Sequence, residues 1–440
     1  MHLLVMLFAG VGLVGKPPVS IPKFGSTWLG KLFITTLFLF LVYVLVSFLN
    51  ARAIAAIRGT GVALQYLEAI VWLPHSYSQK ATEHEWYWQV ALSGAFFATC
   101  RWIRVQAVQR SLANGSNHWP PGIRKLLWVL SISTALMAIE AIIQRLSRSN
   151  ELLFILPRYN WRFVLDAHDS LGPFSYQGTG TAYFNLIWPL TLGLWWTNQL
   201  REFRRTGARP RFGSNLGSIL PVAALLMIVC VFMTTSRAGV VVCLFQVVAM
   251  ALIAWVNRKS FPRFLTISVV VSGLLVSLAV AFVGIGPILK KVERARSDEW
   301  GGRLPIYRQV LKMIPDFDPW GSGAGSFYAV NDLYTDPTAD SWESMVHNDW
   351  LEARLSYGKI GFGILVTLVV VGILLARKNQ FKIIPPAFVP FLWTALAGFC
   401  LDACVDIPFH TKSLHLFFAL GCAIALYATP KSANTTPETF

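Results

Sequence analysis

Long uncharged apolar runs separated by short basic loops recur along this chain and give way to one extended polar stretch, over residues 287–357. The runs fall at about 2–14, 32–50, 86–100, 126–143, 181–199, 217–235, 238–256, 264–286, 360–376, 383–401 and 413–429. Most are long enough, or nearly so, to cross a hydrocarbon core roughly 30 Å thick as a helix; the first is too short and the third marginal. Period-two alternation does not accompany them, so they predict helices and not the strands of a membrane barrel. The pattern therefore reads as an all-α polytopic membrane protein with about 11–12 transmembrane helices and one large extracytoplasmic loop.

Residues 51–74 carry Arg52, Arg58 and Glu68 in a moderately apolar, helix-compatible sequence. They read as an interfacial helix or a re-entrant element, with a twelfth span as the alternative. The opening run lacks a basic n-region and a small-residue cleavage site before Lys16-Pro17-Pro18, so it does not read as a signal peptide. Residues 1–430 form one transmembrane helical domain, with 287–357 as a loop subdomain, and 431–440, rich in Thr and Pro, read as a disordered tail.

Composition strengthens the membrane reading. Of 440 residues, 55% are hydrophobic and 14% charged, with a mean hydropathy of +0.52, outside the soluble globular range. A formal net charge of +16 in a soluble domain would point to nucleic acid. Here the basic residues cluster beside the spans, where they bear on topology and on membrane lipids, and no nucleic acid is implied. The six cysteines, at 100, 230, 243, 400, 404 and 422, lie within or at the ends of apolar runs without metal-ligand spacing and read as small buried residues.

The basic loops also orient the chain. Arg201, Arg204, Arg205, Arg209 and Arg211 form one, Arg258, Lys259 and Arg263 a second, and Arg377, Lys378 and Lys382 a third. The positive-inside rule makes all three cytoplasmic. Loops at about 144–180, 287–357 and 402–412 then face the other side, as does the turn Thr235-Ser236-Arg237-Ala238-Gly239. No nucleotide is available there, so a transferase would take its donor from the lipid.

Several polar residues on that side are candidates for chemistry. Arg237 sits between two uncharged runs, where a charge is costly unless paired or facing water; the alternative is an interfacial arginine reaching headgroups. Arg303, with Arg308 following it, opens a predicted amphipathic helix, and two arginines from separate segments would make a pyrophosphate clamp. Alone, a helix-start arginine is more often simply solvated. The glycine-rich Trp320-Gly321-Ser322-Gly323-Ala324-Gly325-Ser326-Phe327 lacks the Lys-Ser/Thr ending of a P-loop and reads as a tight backbone turn. His347, followed by Asn348, Asp349 and Glu352, reads either as a general base or as a structural histidine. No second histidine lies three or four residues away, so no metal or other cofactor is expected.

Taken together, these pieces resemble the bacterial O-antigen ligase and polymerase family of polytopic glycosyltransferases. The resemblance rests on Thr235-Ser236-Arg237-Ala238-Gly239, Arg303-Leu304-Pro305-Ile306-Tyr307, Gly321-Ser322-Gly323-Ala324-Gly325-Ser326-Phe327 and His347-Asn348-Asp349-Trp350-Leu351-Glu352, with Gly358 and Gly361 beyond. Gly172-Pro173-Phe174 and Asp406-Ile407-Pro408 are weaker echoes. It implies a type C-like fold in the bacterial inner membrane, with the active site facing the periplasm. It also implies inverting, metal-independent transfer from an undecaprenyl-diphosphate-linked glycan donor. On this resemblance Arg237 and Arg303 would hold the diphosphate, His347 would activate the acceptor hydroxyl, and Arg308, Asn348 and Glu352 would orient substrate. The acceptor would be the lipid A core for a ligase, a second lipid-linked glycan for a polymerase, or a protein hydroxyl. A transporter would show mid-span charges and two related halves with broken helices, and this sequence shows neither.

Overall fold

The computed structural model describes residues 27–58, 61–112, 119–147, 153–154, 171–207, 216–234, 236–256, 303–335, 344–378 and 383–427. The expected first run, the span at 264–286, the start of the polar loop and the C-terminal tail lie outside the described residues. Its chain forms two compact units, each assembled from separated segments: residues 1–101, 289–375 and 403–412 in the first, and 102–288, 376–402 and 413–440 in the second.

The first unit begins with α1, Trp28–Leu49, a 22-residue apolar helix whose first turn is capped by Thr27, its hydroxyl accepting the Gly30 N–H at 3.1 Å. Next comes an antiparallel hairpin of β1, Ala53–Arg58, and β2, Gly61–Tyr66, in the register Ala53↔Tyr66 through Arg58↔Gly61. This corrects the helical readings of 51–74, as an interfacial helix or a twelfth span. A short apolar run does not by itself distinguish strand from helix, and the β-branched Ile54, Ile57 and Val62 around Gly59-Thr60-Gly61 favour the hairpin. Tertiary bonds anchor it: Arg52 N–H donates to the Ser76 carbonyl at 2.7 Å, and Val62 N–H to Asp332 Oδ2 at 3.0 Å.

Beyond the hairpin, α2, Gln79–Leu112, starts in this unit. The described part of the polar loop supplies α7, Arg303–Phe317, and the single-turn α8, Phe327–Asn331, before α9, Asp349–Lys378. Val310, Met313 and Phe317 form one face of α7 and pack with Ala53, Tyr77, Phe327, Val330, Val346 and Leu355 in a common core. The glycine loop between α7 and α8 lies directly on α9. Gly321, at φ +82°, approaches so closely that a Cβ would fall 2.4 Å from the Gly358 nitrogen. Gly358, at φ +59°, marks a kink in α9, and the loop's Ser322 and Gly323 N–H groups donate to the Leu355 and Ser356 carbonyls at 3.1 and 2.9 Å. Those amides are committed to a helix, so the loop packs as a backbone turn and does not cradle a phosphate.

The second unit holds α3, Pro121–Ser147; α4, Gln177–Thr206; α5, Ile219–Phe232; α6, Arg237–Val256; α10, Val389–Asp402; and α11, Lys412–Ala425, whose first residue belongs to the first unit. α4 is buried almost all round. Polar side chains join it to its neighbours: Trp188 Nε1 donates to Gln246 Oε1 at 3.0 Å, Asn185 Nδ2 to the Gly239 carbonyl at 2.8 Å, and Thr191 Oγ1 to Ser131 Oγ at 2.9 Å. Where no apolar driving force separates helix from lipid, such bonds and close backbone contacts hold helices together.

Among the described residues, four helices are long and apolar enough to cross a membrane: α1, α3, α6 and α9. α5, α10 with its preceding Pro386–Phe388 turn, and α11 are apolar but shorter.

Candidate functional site

The sequence candidates divide between the two units. Arg303, Arg308, His347, Asn348 and Glu352 belong to the first, and Arg237 to the second.

In the first unit the site is built where α7 and α9 begin. Arg303 is the first residue of α7; its Nη1 donates to the Val405 carbonyl, and its Nη2 lies 3.5 Å from Asp406 Oδ2. The other Asp406 oxygen lies 3.6 Å from His347 Nδ1. One carboxylate, only 3% exposed, therefore sits between the guanidinium and the imidazole, each of which is 25% exposed. At 3.6 Å the Asp406–His347 contact is electrostatic and longer than a hydrogen bond. Its direction still matters: a carboxylate beside Nδ1 favours the tautomer protonated there, which presents the unprotonated Nε2 as a proton acceptor.

His347 itself has φ +56°, a left-handed backbone uncommon outside glycine. The neighbouring bonds fix it there. Val346 N–H donates to Glu352 Oε2 at 3.2 Å, and the His347 carbonyl accepts the Tyr307 hydroxyl at 2.7 Å. Burial raises the Tyr307 hydroxyl above the usual tyrosine pKa, so it remains a donor. Asn348 then caps α9, its Oδ1 accepting the Leu351 N–H at 2.9 Å. A strained residue held from both sides is a feature of functional sites.

The remaining candidates occupy different settings. Glu352 is turned inward, 6% exposed, with one oxygen on Val346 and the other 2.9 Å from His410 Nε2. Arg308 is exposed on α7. Arg237, half-buried, is the first residue of α6 in the second unit; Ser236 precedes it as the helix cap, its Oγ accepting the Gly239 N–H at 3.1 Å. Gly239 lets α4 approach, since a Cβ there would fall 2.5 Å from the Thr181 side chain. A further cation, Arg145 of α3, donates from Nε to the Met233 carbonyl at 3.2 Å, in the turn that leads to Arg237.

Sequence reasoning treated Asp406 only as a weak echo and missed His410. Pro408–His410 is a short 3₁₀ turn, and it sets the His410 ring between two carboxylates: Nδ1 lies 2.7 Å from Asp349 Oδ1, and Nε2 2.9 Å from Glu352 Oε1. The available signal was the spacing of Asp402, Asp406 and His410, four residues apart, in a short segment between two apolar runs.

Helices able to cross the membrane and a polar site built on their connecting segments define a multi-pass helical membrane protein. Residues 222–366 match the family model described as O-antigen ligase, and over that stretch the chain is similar to the proteins of that family. No match is found among curated proteins. The matched stretch contains all six candidate residues; Asp406 and His410 lie beyond it.

Proposed function

We propose that the protein is a glycosyltransferase that moves a glycan from an undecaprenyl-diphosphate carrier to an acceptor hydroxyl at the periplasmic face of the bacterial inner membrane. The ligase reading, with the lipid A core as acceptor, leads. The observation that carries the proposal is the Arg303–Asp406–His347 arrangement, at 3.5 and 3.6 Å, in a chain whose residues 222–366 match an O-antigen ligase family.

The chemistry asks little beyond this set. His347 takes the proton of the acceptor hydroxyl at Nε2, Asp406 stabilising the imidazolium that results. The acceptor oxygen attacks the anomeric carbon as the bond to the diphosphate oxygen breaks, from the opposite face, so configuration inverts. The departing diphosphate keeps the bonding electrons, and its negative charge is met by arginine. Arg303 is held in place by Val405 and Asp406, and a fixed cation does not have to reorganise as charge develops. Arg237 is assigned a second contact to the diphosphate on its motif, and Arg308 and Asn348 a part in orienting sugar. Glu352 acts through Val346 and His410. No metal takes part in these steps.

The test is reconstitution of the full chain with an undecaprenyl-diphosphate glycan and either lipid A core or a second lipid-linked chain. Glycosylated lipid A core identifies a ligase, and a lengthened lipid-linked glycan a polymerase. If Arg237→Ala and Arg303→Ala both bind donor as tightly as the wild type, the arginines do not hold the diphosphate. Loss of turnover on chelation would contradict the metal-free mechanism.

A further inference from the structure

His410 has both ring nitrogens against carboxylates, at 2.7 and 2.9 Å. A neutral imidazole offers one donor and one lone pair, so one of these contacts would set a lone pair against an anion. Protonation makes both nitrogens donors. Burial opposes the charge, but attraction to Glu352 and hydrogen bonds to Asp349 and Glu352 outweigh it, and the ring stays protonated well above the usual histidine value. Among the described residues, Asp349 and Glu352, both from the first turn of α9, are the charged groups set against the ring, while Lys412, two residues on, pairs with Glu85 of α2.

The same two carboxylates serve a second purpose. Asp349 Oδ2 accepts the Phe409 N–H at 2.9 Å, and Glu352 Oε2 accepts the Val346 N–H at 3.2 Å. Asp349 N–H donates to the Ala403 carbonyl at 2.9 Å. Residues 403–410 are thus tied to the start of α9 at both ends, and between those ties lie Val405 and Asp406, the partners of Arg303 and His347. On the other side, Val346 immediately precedes His347.

We infer that His410 is a clamp that seats residues 403–410 on the first turn of α9, and so positions Asp406 and Val405 against His347 and Arg303. It is a positioning residue for the transfer proposed above, and in that respect it rests on that reading. His410 is not a second base, because both of its nitrogens are committed to carboxylates.

Two readouts on the full chain in nanodiscs separate the clamp from the reaction. The first is hydrogen exchange of 344–352 and 403–411, relative to the rest of the protein; the second is transfer. His410→Gln is expected to speed exchange in both segments and to lower kcat about tenfold or more, with KM for donor little changed, since misplacement of about 1 Å can cost up to about a hundredfold. His410→Arg, a planar cation able to bridge two carboxylates, is expected to restore both readouts. In the wild type, raising the pH well above neutral should reproduce the exchange change without any substitution, and His410→Arg should abolish that pH effect. Unchanged exchange in His410→Gln and in the alkaline wild type overturns the clamp. Faster exchange with unaltered turnover overturns the positioning role. A wild type that transfers nothing overturns the proposed function, while the exchange result still decides the clamp.

Discussion

His347 and His410 both lie in the first unit, and their surroundings differ in the way their proposed roles require. His347 faces one carboxylate at 3.6 Å, on a strained backbone, with a quarter of its side chain exposed. His410 faces two, at 2.7 and 2.9 Å, one on each nitrogen. A base must be able to gain a proton and lose it again, so one distant anion that orients the ring suffices. A clamp must keep its proton, and two close anions see to that. Residue type alone does not assign a histidine; the number and distance of its carboxylates do.

The most severe test of this contrast is His347→Ala, for which we expect a loss of roughly 10²–10⁴ in kcat, the usual contribution of general acid–base catalysis. Arg303→Ala should cost about 10²–10³, as for loss of one fixed electrostatic donor. Lysine is not expected to rescue it, since one ammonium cannot reproduce two nitrogens directed at Val405 and Asp406. Asp406→Asn keeps the shape but removes the charge between the guanidinium and the imidazole, and turnover should fall by up to about a hundredfold. A smaller effect is expected on the alkaline side. Folding favours protonated His410, so its contribution is complete below the ordinary histidine pKa of about 6.5 and is lost as the pH rises through the higher folded value. The thermal unfolding temperature of the wild type should therefore fall at alkaline pH, and that of His410→Arg should not. Least affected should be Arg308→Ala, an exposed position on α7, with a change in turnover of about threefold or less.

Much of this was legible in the sequence. The apolar runs gave α1, α3, α6 and α9 because spans are defined by composition and length, which one chain displays directly. Arg303 and His347 stood out as polar residues of catalytic type outside those runs. The hairpin at Ala53–Tyr66 was not legible as such, because it depends on a register and on distant partners such as Ser76 and Asp332. Asp406 and His410 were hidden for the same reason. Their meaning comes from contacts to residues about 60 and 100 positions away, and nothing local in their sequence states those distances. The bonds that the Asn348 and Glu352 side chains make to Leu351, Val346 and His410 were likewise not legible in the spacing of the motif.

The central claim is that His347 moves the proton and His410 holds the frame. It is tested most directly by comparing His347→Gln with His410→Arg in one reconstituted transfer assay with an undecaprenyl-diphosphate glycan donor. The account predicts that His347→Gln loses turnover by about a hundredfold or more while His410→Arg stays close to the wild type. Near-wild-type turnover by His347→Gln would contradict it.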